Sequence, residues 1–295
     1  MAAFLFSSPM KQALFFGLAT LDIQYYLEEF PKENVKVKTT LPEFFVGGPA
    51  TNAAVAFAAL NGEAHLITAI GQSPFHSIFK DDFLSAGVCC TDLLKDQLAQ
   101  PVLATVITTT NGNRTIFTHN PKKLDVSLDE KKLFDRYCPE LLMLDGFYPE
   151  VAIKLAQEAR SRQVPVVFDG GSWKPHLPQL LPFVDYAVCS NDFSPPDCQT
   201  PETVFAFLDR FSITYKVITR GGEQIIAQTS DQIDLIDVPK VQVVDTLGAG
   251  DFFHGAFCYY LLTKNTFAEA LDKSAVFASK TCLFKGTRQW MNKLK

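Results

Sequence analysis

The sequence has no surplus of positive charge: 27 Lys and Arg stand against 32 Asp and Glu, a formal net charge of −5. A chain without a basic field has no general electrostatic grip on a phosphate polymer, so no nucleic-acid partner is expected. Long apolar runs are missing too. Ala13–Ala19 falls far short of the ~18–20 residues that span a bilayer, and the apolar Met1–Met10 carries no basic residue of the kind that starts a secretion signal. These first ten residues read as a leader that frays or docks, in a cytoplasmic chain with no membrane contact.

Metal and redox signatures are equally scarce. The seven cysteines, Cys89, Cys90, Cys138, Cys189, Cys198, Cys258 and Cys282, form no C-x-x-C pair. His65, His76, His119, His176 and His254 are scattered without ligand spacing. An odd, dispersed set of thiols reads as reduced cysteines, mostly in the core. Common nucleotide signatures are absent as well. There is no G-x-x-x-x-G-K-[ST], and after Gly248 and Gly250 the third glycine of a dinucleotide fingerprint is replaced by Phe253. The H-R-D and D-F-G strings of protein kinases do not occur.

What is present is core material: 47% of the 295 residues are hydrophobic and 20% charged, enough to bury a sizeable interior. Short apolar runs alternate with longer helical stretches. Strands are predicted at Gln12–Leu18, His65–Gly71, Leu141–Gly146, Val164–Asp169, Asp185–Ser190, Tyr215–Thr219 and Val241–Asp245. Helices are predicted at Pro49–Leu60, Phe75–Ala86, Pro149–Arg162, Pro201–Phe211, Phe252–Lys264 and Thr266–Phe284. This rhythm predicts an α/β fold with a mostly parallel sheet covered on both faces. Asn61-Gly62 should close the first helix, and Thr266 with Glu269 forms a capping box for the last. No repeat or linker divides the chain, so a single domain over residues 1–295 is expected.

Two stretches break the rhythm. Pro101–Thr110 and Arg114–Asn120 flank the hairpin signal Asn111-Gly112-Asn113, and Tyr25–Phe45 contains the period-two Val35-Lys36-Val37-Lys38-Thr39. Both predict strands of a small antiparallel sheet beside the core. Gln224–Thr229 with Gln232–Asp237 reads as a further local hairpin next to the Tyr215 strand. The alanines of Ala50–Ala59 let that helix pack tightly on the sheet.

The segment richest in chemistry is Val241–Phe257. A β-branched run reaches Asp245, Thr246-Leu247-Gly248-Ala249-Gly250 turns the chain, and an apolar helix starts near Asp251. Free N–H groups at a helix start, with the positive end of its dipole, stabilise an anion, and glycines let that anion approach. A carboxylate at such a place is either a helix-capping Asp or a general base beside a transferring phosphoryl group. From the pattern alone both readings stand.

Asp245-Thr246-Leu247-Gly248-Ala249-Gly250-Asp251 resembles the C-terminal signature of the PfkB, or ribokinase-like, carbohydrate kinases. About 200 residues upstream, Gly47-Gly48-Pro49-Ala50-Thr51-Asn52-Ala53-Ala54 resembles the family's other signature. The similarity runs from about Gln12 to Gly286. It implies ATP-dependent phosphorylation of a hydroxyl on a small sugar or sugar acid. The implied fold is a three-layer αβα sandwich with a mostly parallel central sheet and a small β lid, whose strands come from about residues 25–45 and 101–120.

By that resemblance Asp251 is the catalytic base, and Gly248, Ala249 and Gly250 form the anion hole for the γ-phosphate. Asp22, Gly47, Gly48, Asn52 and the lid residue Arg114 bind the acceptor. Asn191, Thr219, Gly221, Gly222 and Gly286 line the nucleotide. Mg²⁺ accompanies ATP, and the Gly286 loop resembles one that takes a monovalent cation. Asp169–Lys174 offers the site a carboxylate, the Trp173 face and the Lys174 cation. One departure concerns the metal: the family's N-x-x-E is here Asn191-Asp192-Phe193-Ser194, without the Glu. A nucleoside acceptor, walled by Phe44, Phe45 and Phe117, is an alternative of the same fold. A non-catalytic nucleotide- or sugar-binding relative is an alternative of another class. The exposed lid is a natural surface for a homodimer.

Overall fold

The apolar runs of this chain are apolar at every position because both faces of the sheet they form are covered. In β1 (Gln12–Phe16), Ala13 and Phe15 belong to one core cluster, while Leu14 and Phe16 belong to the other. The computed structural model describes residues 10–110, 114–119, 126, 128–230 and 232–294. The remaining strands are β2 (Thr20–Leu27), β3 (Glu43–Gly47), β4 (Glu63–Thr68), β5 (Cys89–Asp92), β6 (Val102–Thr109), β7 (Arg114–Thr118) and β8 (Leu141–Leu144). They continue with β9 (Val166–Gly170), β10 (Tyr186–Ser190), β11 (Tyr215–Arg220), β12 (Glu223–Gln228) and β13 (Ile233–Ile236).

The large sheet has the order β13-β12-β11-β10-β9-β8-β1-β4-β5. From β11 to β5 every pair is parallel; β12 and β13 add antiparallel at one edge, so the predicted local hairpin extends the main sheet. On one face lie α1 (Pro49–Ala59), α2 (His76–Ala86), α7 (Ala249–Leu262) and α8 (Phe267–Thr281). The other face carries α3 (Glu130–Tyr137), α4 (Pro149–Ser161), α5 (Leu177–Leu180) and α6 (Pro201–Asp209). This is the three-layer arrangement expected. The Thr266–Glu269 capping box forms, and Asn61, at φ 69°, turns the chain after α1.

The second sheet has the order β3-β2-β6-β7. It is mixed rather than antiparallel, because β2 and β6 run parallel while the outer pairs are antiparallel. Its first strand starts at Thr20, so Asp22 sits in a strand rather than in a loop. Val35–Thr39 is no strand: these residues are exposed and unladdered, and the alternation there has no apolar face to cover. Val241–Asp245 is not a strand either. Val243 and Val244 are exposed, and the Val244 and Asp245 amides donate to the single carbonyl of Cys282, at 2.8 and 3.2 Å. The Asn111-Gly112-Asn113 turn lies outside the described residues.

All seven cysteines are free thiols; Cys189, Cys198, Cys258 and Cys282 are buried, and Cys89 and Cys138 are exposed. Among the described residues no helix is long and apolar enough to cross a membrane.

Candidate active site

The parallel strands deliver their C-terminal ends to one edge of the large sheet, where α7 also begins. Gly248, at φ 76°, is the N-cap of α7, in a conformation that costs a residue with Cβ. Asp245 holds the turn before it: Oδ1 accepts from the Leu247 amide at 2.9 Å and Oδ2 from the Gly286 amide at 3.0 Å. The Ala249 amide turns back to Thr246 O at 3.2 Å, so the donors that the helix leaves without an internal partner are those of Gly250 and Asp251. Nothing lies within 4 Å of where a Gly250 Cβ would stand, which leaves an open cradle over a positive helix end.

Asp251 stands beside that cradle. Its Oδ2 accepts from Asn52 Nδ2 at 2.8 Å, which joins the two sequence signatures through one hydrogen bond. Helix packing makes the contact. A Cβ on Gly255 would come within 2.1 Å of Ala53 O, so α1 and α7 approach closely only because position 255 has no side chain. The small residues of α1 therefore serve α7 as well as the sheet.

Burial pushes the Asp251 carboxyl up to about 7, and the nearby Asp169 and Asp145 carboxylates add to the shift. The Asn52 hydrogen bond and His254 oppose it. His254 Nδ1 lies 2.7 Å from Gly250 O and Nε2 lies 3.0 Å from Val188 O. Asp169 Oδ2 stands 3.5 Å from the same Nδ1, so the ring is held between two backbone carbonyls and a carboxylate. Asp145 accepts from the Leu18 amide at 2.8 Å and from the Phe147 amide at 3.1 Å, and burial raises it to about 6.

Asp22 lies on β2 with its carboxylate against Gly47. It is buried, accepts from Thr20 Oγ1 at 2.7 Å, and is raised by burial to about 6, against the pull of Thr20 and of Arg288. Gly47 ends β3 one strand away, and Gly48 is the N-cap of α1. Arg114, at the start of β7, donates to Thr246 Oγ1 at 2.5 Å, so the second sheet touches the turn before α7 directly.

Most of the residues expected to line a nucleotide gather on neighbouring strand ends. The Asn191 amide donates to Thr219 O at 2.9 Å, and Gly221 and Gly222 have open space where a Cβ would stand. Gly286, at φ 67°, lies against the ring of Phe45 and is tied to Asp245. Trp173 offers no face to the site; its ring meets Phe193 and Phe207 edge-on. Lys174 Nζ instead caps the Asp145 and Ser172 carbonyls over the Phe147 ring. Phe44 and Phe117 lie on the two outer strands of the second sheet, with two strands between them, and are half exposed. They do not make a common wall.

Among the described residues no group of three or more His, Cys, Asp or Glu is placed to hold a metal ion. Mg²⁺ commonly binds through one or two carboxylates plus substrate phosphates, and Asp145 is not free for it, since its oxygens accept from the Leu18 and Phe147 amides. Arg288 and Asp82 are absent from the sequence reading. Arg288 Nη1 donates to Asn52 Oδ1 at 2.9 Å, and its Nε and Nη2 bind Asp82.

Residues 10–293 match the pfkB family of carbohydrate kinases. The chain is 22% identical to ketohexokinase of Mus musculus, over 94% of this chain and 97% of that protein. It is 23% identical to deoxyribokinase of Salmonella typhi, with 92% of each covered. The solved structure of Arabidopsis thaliana ribokinase complexed with ribose and ATP superimposes with a TM-score of 0.78 at 20% identity, over 97% of this chain and 98% of that one. At that identity the structural likeness is one of fold.

Proposed function

The chain belongs to the pfkB family of carbohydrate kinases, and from that premise we propose that it transfers the γ-phosphoryl group of ATP to a hydroxyl of a small sugar or sugar acid. The observation that carries this reading is Asp251: a carboxylate at the third position of α7, beside an open cradle of helix-start amides, held by Asn52. In the reaction, the acceptor hydroxyl gives its proton to Asp251 as its oxygen bonds to the γ-phosphorus. The bond from that phosphorus to the bridging oxygen breaks, and ADP leaves with the electron pair. At the Gly248-Ala249-Gly250 turn the Ala249 amide is spent on Thr246 O, so the free Gly250 and Asp251 amides are the ones that stabilise the charge on the transferring group.

The acceptor lies against Asp22, Gly47, Gly48 and Asn52, under Arg114. ATP lies over Asn191, Thr219, Gly221 and Gly222, with the Gly286 loop beside it. Mg²⁺, arriving with ATP, neutralises phosphate charge. Ser194 offers no carboxylate where the family pattern has Glu, and a monovalent cation belongs beside the Gly286 loop. The second sheet acts as a lid that excludes water, which would otherwise accept the phosphoryl group. The chain works as one kinase unit in the cytoplasm. The lid's exposed Phe44, Ile116 and Phe117 face a second copy, and light scattering should then report a dimer.

Phosphorus NMR of mixtures with Mg·ATP and separate pentoses, hexoses, keto-sugar acids and nucleosides tests the reading. A phosphomonoester formed from a sugar or sugar acid supports it. A phosphorylated nucleoside moves the chain to nucleoside kinases. ATP binding with no product from any acceptor makes it a binding protein.

A further inference from the structure

We propose that Arg288, clamped by Asp82, is a positioning residue that fixes the Asn52 amide with its N–H toward Asp251 and so keeps Asp251 available as a base. The proposal rests on the reading of Asp251 as the base.

The argument begins with donors and acceptors. A guanidinium only donates, so the atom of Asn52 facing Arg288 Nη1 at 2.9 Å must be the amide oxygen. That leaves the amide nitrogen for Asp251 Oδ2, at 2.8 Å. Turning the amide over would set its NH₂ against the guanidinium and its oxygen against the carboxylate, two repulsive pairs. The alternative matters because a protonated Asp251 can donate. An inverted amide would accept that proton's hydrogen bond and stabilise the acid, which is useless as a base. Arg288 forbids the inversion, so Asn52 always stabilises the carboxylate.

Arg288 is itself fastened. Its Nε lies 3.0 and 3.2 Å from the two Asp82 oxygens, and its Nη2 lies 2.9 Å from Oδ2, a fork a lysine cannot reproduce. The arginine and Asp82 side chains are only 17% and 13% exposed, so solvent screens the pair weakly. The backbone on either side is anchored too. Thr287 Oγ1 donates to Val46 O at 3.1 Å, and the Trp290 indole donates to Thr287 O at 3.1 Å while its ring meets Phe252, next to Asp251, at 5.0 Å. The charged groups that bear on Asp251 are Asp169 from β9, Asp145 beyond β8 and His254 from α7. Arg288 acts on it through Asn52.

The test compares wild type with Arg288→Met, Arg288→Lys, Asp82→Asn and the Arg288→Met/Asp82→Asn double variant, each first shown to melt cooperatively. Two readouts are used: the pH profile of kcat/KM for the acceptor alongside KM for ATP, and the Asn52 side-chain amide signal in isotope-labelled protein, assigned with Asn52→Ala. Arg288→Met should lower kcat roughly 10–100-fold, the scale of a small misplacement of a reacting group. KM for ATP should hold, the acid limb should move to higher pH, and the Asn52 amide protons should lose their protection from exchange. Arg288→Lys should recover part of this. Asp82→Asn should act in the same direction more weakly and add nothing in the double variant. If Arg288→Met does not fold, the lysine and Asp82 variants carry the test.

A folded variant with the wild-type acid limb and the wild-type Asn52 signal overturns the proposal. The kinase reading fails separately. If wild type makes no product but the Asn52 signal still changes in the variants, the clamp stands and the catalytic reading falls.

Discussion

Asn52 in α1 donates to Asp251 in α7 across 199 residues of sequence, at 2.8 Å. Each residue belongs to a different signature, and neither signature alone reveals that they meet. The contact depends on helix packing, on a clamp from the C-terminal segment, and on a carboxylate whose ionisation is opposed by its surroundings. Each of these has a measurable consequence.

The first is a pH profile. Burial and the neighbouring carboxylates hold Asp251 up to about 7, so kcat/KM should rise with pH through an acid limb near that value. Asp169 is a like charge that opposes ionisation. Asp169→Asn should therefore move the limb to lower pH; a limb that stays or rises would remove Asp169 from the account.

Stability should report the same group. The folded protein holds the Asp251 proton up to about pH 7, whereas the unfolded chain releases it in the ordinary carboxylate range. Ionisation therefore costs stability as pH rises between those two values, and the full cost is present above the folded value. Asp251→Asn does not ionise. Its melting temperature relative to wild type should climb from pH 5 to pH 8, and a gap that shrinks over that range would contradict the burial argument.

Gly255→Ala tests the helix approach. The new methyl meets Ala53 O and must push α1 from α7, at a cost of about 1–3 kcal/mol for overpacking. Turnover should fall as well, because Asn52 moves with α1. Unchanged denaturant stability would show that the two helices separate freely.

Asp22→Ala should raise KM for the acceptor far more than KM for ATP, since Asp22 lies on the second sheet, beside Gly47 and away from the Asn191–Thr219 strand ends. Initial rates with each substrate varied in turn give both values. Equal weakening of the two would place Asp22 elsewhere.

Much of this was legible in the residues. The strands of the large sheet show because both faces are covered, so whole runs such as Leu141–Leu144 are apolar. The turn before α7 shows because its run of small residues ahead of an apolar helix is distinctive. Val241–Asp245 misled because β-branched residues favour extended backbone whether or not a neighbour exists to pair with them. Val35–Thr39 misled in the same way. Arg288 and Asp82 were invisible for another reason: they lie 206 residues apart, and nothing around either marks it out. Their meaning exists only once α2 and the C-terminal segment close on Asn52. Asp145 likewise reads as a strand end until the sheet brings it near Asp251, whereas Asp169 shows in the sequence as a carboxylate after a strand.

The measurement closest to the central claim is acceptor-dependent ADP release with Mg·ATP at pH 8, by wild type and Asp251→Asn side by side. With Asp251 as the base, wild type releases ADP only when the acceptor is present. The variant still binds ATP but turns over roughly 10²–10⁴-fold more slowly. A variant that keeps near-normal turnover would contradict the account and leave Asp251 as no more than the structural partner of Asn52.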